Sequence, residues 1–108
     1  MIYELRIYEA MPGRLADVLN KFREHTLPLW ERHGIETVGF WTTVVGPSAN
    51  ALHYMLRWES LSERERLWAT FLKDPDWARA KKETEVNGPI VASTSNTLLA
   101  PTDFSALK

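Results

Sequence analysis

A chain of 108 residues with 44% hydrophobic and 11% aromatic content can bury a real core but has the size of one domain, so residues 1–108 are read as a single unit. Thirteen basic and 14 acidic residues leave a formal charge of −1, which argues against nucleic acid or an anionic membrane surface as partner. The absence of cysteine excludes disulfides, thiolate metal sites and a cysteine nucleophile, and no apolar run has the length of a leader or a membrane span, so a cytoplasmic protein is expected.

Met1 to Glu9 alternates as a strand, with Tyr3, Leu5 and Ile7 on one face and Glu4, Arg6 and Tyr8 on the other. The apolar set is assigned to the helix-facing side, which leaves the charged set on the open side. Pro12 suits a first helical turn, and Leu15, Val18, Leu19 and Phe22 recur at helical spacing toward Trp30. Gly34 marks the stop, because glycine accepts the left-handed backbone that ends many helices. Pro28 falls inside this helix, removes an amide and crowds the preceding turn, so a kink or break is expected between Glu24 and Pro28. Ile35 to Val45 is rich in β-branched and aromatic residues and runs into Gly46-Pro47-Ser48, the turn of a hairpin.

The return strand carries Leu52, Tyr54, Leu56 and Trp58 on one face and His53, Met55 and Arg57 on the other. Ser60 with Glu63, or Ser62 with Glu65, fits a capping box that opens a helix bearing Leu67, Trp68, Phe71 and Leu72. The charged run Glu63 to Arg66 reads as its solvated face. Asp74-Pro75 starts a further helix over Asp76 to Val86, Asn87-Gly88-Pro89 stops it, and Ser93 to Ala100 is a last strand before a short tail. The order β-α-β-β-α-β predicts an α+β, ferredoxin-like four-stranded antiparallel sheet with its helices on one face. The other face needs a cover, and a facing sheet from a second copy, making a dimeric α+β barrel, supplies one.

The segments Tyr3 to Tyr8 (YELRIY), Pro12-Gly13, Gly39 to Pro47 (GFWTTVVGP), Leu56 to Arg64 (LRWESLSER) and Asp74 to Trp77 (DPDW), with Pro101 after the last strand, resemble the NIPSNAP family across nearly the whole chain. The resemblance implies a homodimer of two ferredoxin-like sheets. It belongs with a superfamily that includes cofactor-free monooxygenases and haem-degrading enzymes, and it implies little chemistry of its own.

Tyr3, Tyr54 and Trp58 on the sheet, with Phe22, Trp30, Trp68 and Phe71 from the helices, either line an aromatic ligand pocket or simply fill the core, and aromatic stripes at these periods more often fill it. His25 is placed at the mouth of that pocket as a weak candidate base, against the plainer assignment of a surface histidine near a kink. Glu4, Arg6, Tyr8, His53, Met55 and Arg57 are assigned to the dimer-interior face as an ion network or, alternatively, a polar channel. His25, His33 and His53 lie on different elements without metal-ligand spacing, and no glycine-rich phosphate loop occurs, so neither metal nor cofactor is expected. Two functions compete: a NIPSNAP-type dimer that binds a small apolar or planar molecule or a protein partner, and a cofactor-independent monooxygenase-like or isomerase-like enzyme in which His25 or a tyrosine moves a proton.

Overall fold

The computed structural model describes residues 1–108. Strands β1 (Ile2–Ala10), β2 (Glu36–Thr42), β3 (Ala51–Trp58) and β4 (Val91–Leu99) form one antiparallel sheet in the order β2-β3-β1-β4. Between β1 and β2 run α1 (Leu15–Lys21), a π turn (Phe22–Thr26) and α2 (Leu27–His33), and between β3 and β4 run α3 (Leu61–Leu72) and α4 (Pro75–Thr84). The topology is the ferredoxin-like one, with the first and third strands central as expected.

The irregularity forced by Pro28 takes the form of the π turn. The Leu27 amide donates to the Phe22 carbonyl, five residues back, so the helix widens by one residue immediately before the proline and continues without a break. Gly34 at φ 75 closes α2, with its own amide bonded to the Glu31 carbonyl and the Ile35 amide to the Trp30 carbonyl at 2.9 Å. Ser60 is the cap of α3: its hydroxyl accepts from the Glu63 amide, and the Glu63 carboxylate accepts in return from the Glu59 amide, both at 3.1 Å. Asp74 caps α4, accepting from the Asp76 amide at 2.8 Å, and its other oxygen meets His33 Nε2 at 2.7 Å, which fastens α4 to the end of α2.

The hairpin departs from expectation at its tip. The β2–β3 pairing ends at Thr42 opposite Leu52, so Thr43 to Asn50 must turn, and Val44 and Val45, predicted to continue the strand, are 96% and 94% exposed. Pairing slips by one residue between Thr37 and Gly39, and the Trp41 indole lies so close over Gly39 that an added Cβ would sit 2.8 Å from the ring. A side chain at this position would oblige the half-exposed indole to shift.

The larger correction concerns β1. Ile2 pairs with Trp58, Glu4 with Leu56, Arg6 with Tyr54 and Tyr8 with Leu52, and directly opposed residues share a face. Glu4, Arg6 and Tyr8 therefore point toward the helices, and Tyr3, Leu5 and Ile7 lie on the open side with His53, Met55 and Arg57. Hydrophobicity gave the period of this strand correctly but assigned its faces the wrong way round, because the open side is apolar as well. Tyr3 is nevertheless buried, since the C-terminal segment from Pro101 to Leu107 crosses this end of the sheet beside it.

The core joins Leu52, Tyr54, Leu56 and Trp58 of β3 to Val18, Phe22, Leu29 and Trp30 of the first helical stretch and Phe71 of α3. Leu56 has no exposed surface on the central strand pair. Leu56→Ala is expected to lower the unfolding free energy by about 2 to 5 kcal/mol, read from urea midpoints, and a loss below about 1 kcal/mol would mean that the helices collapse onto the vacated volume.

Candidate functional site

Beneath the helices lies a polar centre that the pattern of the sequence had placed on the other side. Glu4 is fully buried and accepts five hydrogen bonds: from Trp58 Nε1 at 3.0 Å, Arg64 Nε at 2.8 Å, Arg64 Nη2 at 3.1 Å, Arg6 Nη1 at 2.8 Å and Asn96 Nδ2 at 2.9 Å. Burial opposes its charge, but the bonds from Arg64, Asn96 and Arg6 outweigh it and hold the carboxyl at about 2, against an ordinary 4.5. Arg64 thus leaves the solvated helix face expected of it and reaches down to the sheet.

Arg6 continues the network. Its Nε donates to the Tyr54 hydroxyl at 2.7 Å and its Nη2 to the Tyr8 hydroxyl at 3.3 Å, while its guanidinium lies 4.8 Å from the centre of the Trp68 ring. Burial works against the charge of Arg6, yet Tyr54, Tyr8 and Glu4 hold its affinity for the proton above the ordinary value. Burial also pushes the Tyr54 phenol well up, so Tyr54 stays a neutral hydroxyl. Each of the three guanidinium nitrogens of Arg6 thus has an acceptor, which ties the centre together as a structural network.

Beside it, walled in part by Tyr8, is a cavity of about 40 Å³. Its lining includes Phe22, Trp30, Trp68 and Phe71 of the predicted pocket, together with Val18, Lys21, Thr26, Trp77, Ile90 and Val91. Tyr54 and Trp58 pack within the neighbouring core without lining it, Tyr3 lies across the sheet, and His25 sits on the outer side of the π turn in shallow grooves with Glu24 and Arg32. The aromatics are thus largely filled core, with a residual hollow. A cavity able to take benzene is nearer 150 Å³, so this one admits a compact molecule and not a planar ring.

Two buried side-chain polar atoms have no hydrogen-bond partner, Thr26 Oγ1 and Trp30 Nε1, and both residues line this cavity. Lys21 is its third polar element. Only 9% of that lysine is exposed, no ion pair holds it, and its Nζ rests 4.7 Å from the centre of the Trp77 ring. Burial lowers its affinity for the proton, only partly opposed by the charge of Glu85. Lys21, Thr26 and Trp30 were not assembled from the sequence because their spacing fits one face only if the helix carries a π turn; Pro28 was the sole hint of one.

On the open side Tyr3, Leu5, Ile7, Met55 and Leu99 combine with the half-exposed Trp41, and the few charges stand at the margins, where Arg57 bonds Glu36 at 2.8 Å. His53 Nε2 meets Thr43 Oγ1 at 3.0 Å. No three His, Asp or Glu side chains gather as a metal-binding group, and no helix is long and apolar enough to cross a membrane.

The NIPSNAP family model matches residues 3–106. A NIPSNAP family protein from Agrobacterium tumefaciens is 27% identical, superposes with a TM-score of 0.87 and covers 99% of this chain and 98% of its own. An uncharacterized NIPSNAP domain protein from Burkholderia xenovorans is 20% identical, with a TM-score of 0.84 over 97% of this chain and 98% of its own. A putative antibiotic biosynthesis monooxygenase from Nitrosomonas europaea, 5% identical with a TM-score of 0.63 over 94% of this chain and 98% of its own, shares the fold alone. No curated protein matches.

The Glu4 centre makes stability depend on pH in one direction. A carboxyl held at about 2 in the folded chain and near 4.5 when unfolded contributes its stability in full above 4.5 and loses it as pH falls toward 2. Glu4→Gln should cost about 3 kcal/mol at neutral pH by leaving Arg6 and Arg64 underpaired, and the gap to the parent protein should narrow between those two pH values. Urea denaturation at a series of pH values checks this, and a gap that stays constant would remove Glu4 as the titrating group.

Proposed function

The chain belongs to the NIPSNAP family, and from that premise we propose that it is a homodimeric protein that binds a compact, largely apolar molecule in the cavity between sheet and helices. The observation that carries this reading is the cavity itself, a hollow walled mainly by aromatic and aliphatic side chains, with two unpartnered polar atoms on the residues of its wall. Native cores leave few such atoms, and a ligand or ordered water is their usual partner. His25 faces away from this cavity, which takes from the enzyme alternative one of the two bases assigned to it and leaves it a tyrosine, Tyr8, in the wall.

Dimerisation is part of the same proposal. An open sheet face of Leu5, Ile7, Met55 and the half-exposed Trp41 is poorly suited to water, and a symmetry-related copy presents the matching surface. The facing sheets would bury the apolar rows and leave Glu36 and Arg57 toward the rim. A cytoplasmic setting is proposed with it, in keeping with a chain that has no cysteine.

Two measurements test the proposal. Native mass spectrometry of the purified protein should give twice the 12.5 kDa of one chain, with an additional small-molecule mass that is lost on denaturation. Leu5→Asp, which places a charge in the middle of the open face, should weaken the dimer by about 100-fold or more without unfolding the protomer. A parent protein that runs as a monomer at micromolar concentration would refute the assembly.

A further inference from the structure

The open side of the sheet is not level. At the end of β1 that holds Tyr3, the segment after β4 lies across it, where Pro101, Ser105 and Leu107 wall a groove with Tyr3 and Met55. Phe104, in the middle of that segment, is 86% exposed, so the tail holds a phenylalanine away from its own protomer. At the opposite end of β1 the same side is hollow. Ile7, Glu9 and His53 floor a space of about 710 Å³, with Trp41 at its flank and Val44 and Val45 on the loop that rises beside it. The register brings these groups together: Trp41 lies opposite His53 and His53 opposite Ile7, in one row across the sheet, and Glu9 follows two residues along β1 on the same side. His53 meets Thr43 at 3.0 Å and Ser48 donates to Glu9 at 2.6 Å, so the loop is tied to the floor at both of its ends and does not fall into the hollow.

A facing copy cannot leave that hollow as it is. Facing sheets stand roughly 10 Å apart with interdigitated side chains, and a packed interior keeps few voids larger than a water molecule. When two aligned sheets face each other about a twofold axis, the axis lies in the plane between them, either close to the strand direction or close to the perpendicular across it. An axis along the strands sets tail against tail and hollow against hollow, and brings Glu9 near the partner's Glu9. An axis across the strands exchanges the ends. Each tail then stands over a hollow, and the partner's Arg57, which pairs with its own Tyr3 at the tail end, comes over Ala51, the residue paired with Glu9. The Glu9 carboxylate takes only the Ser48 hydroxyl within its protomer, and the lining of the hollow contains no lysine or arginine. Shape and charge therefore select the same axis.

We propose that two copies face each other about an axis across the strands, so that the partner's Phe104 enters the hollow between Trp41 and the Val44–Val45 rim while the partner's Arg57 reaches Glu9. The inference rests on the homodimer of the proposed function and specifies how it is assembled. Val44, Val45 and Phe104 are the three most exposed large apolar side chains of the protomer, and this arrangement covers all three by one contact. Each protomer supplies one anchor and one socket, so the contact occurs twice, at the two ends of the apolar rows that hold Leu5 and Ile7.

The chain has no cysteine, so single cysteines report the arrangement without background. Val45→Cys and Phe104→Cys change exposed side chains and should leave the protomer folded. The two variants are unfolded and refolded together and treated with a short bismaleimide, beside each variant alone. The mixture should give a covalent dimer at least about tenfold more abundantly than either variant alone, because only the mixture sets one cysteine against the other. Cross-linking of Val45→Cys with itself at a comparable yield would place like end on like end and overturn the axis. No cross-linking in any sample, in protein that still has the mass of two chains, would overturn the insertion and leave the homodimer standing, whereas a monomer mass for the parent protein removes both. Phe104→Ala gives a second measure: the dimer dissociation constant should rise about tenfold or more with the circular dichroism of the folded chain unchanged, and an unchanged constant would overturn Phe104 as the anchor.

Discussion

The interaction on which the rest of this structure depends is the carboxylate of Glu4, buried in the centre of the sheet and satisfied from four directions. Arg6 comes from its own strand, Trp58 from β3, Asn96 from β4 and Arg64 from α3. A charged group at that depth is tolerable only with such a set, because loss of any one donor leaves charge without compensation in a region that water does not reach. The same set fixes the register of β1. A slip of one residue would turn Glu4 to the open side and separate it from Arg64 at once, so the network contributes to uniqueness as well as to stability.

Placing Glu4, Arg6 and Tyr8 inward has a consequence on the other face. Alternation along a strand is strict, so Tyr3, Leu5 and Ile7 must then point outward, and the side away from the helices becomes the more hydrophobic of the two faces of β1. A single copy covers one end of it with the segment from Pro101 to Leu107 and leaves the middle to something else. The polar interior of the protomer and its apolar exterior face are thus two aspects of one register, and the case for a facing partner is stronger than the sequence suggested.

The fold was legible from the sequence because its signals were local and redundant. Ser60 with Glu63, Asp74 before Pro75, and Gly34 each fix a helix end by satisfying specific backbone groups, and the period of β3 agrees with its burial from Leu52 to Trp58. The faces of β1 were not legible, since apolar residues ordinarily mark the inside and nothing local announces that Arg64, sixty positions away, will meet Glu4. His25 illustrates the opposite limit. A lone titratable side chain near a kink attracts attention by residue type, whereas its direction depends on how the backbone resolves that kink.

That resolution decides the cavity. Had Pro28 broken the helix, Lys21 and Trp30 would belong to segments free to diverge. Because the strain is absorbed as one extra residue in the turn before the proline, the helix stays continuous and the rotational offset between its two halves changes instead. Thr26 is the last residue of that turn, and its hydroxyl ends in a place where no backbone carbonyl of the preceding turn takes it up. An unsatisfied hydroxyl and indole are a cost to the folded chain that an apolar pair would not carry. Their presence on residues that wall a hollow, with the buried Lys21 beside them and no ion pair holding it, is what distinguishes this part of the core from mere packing.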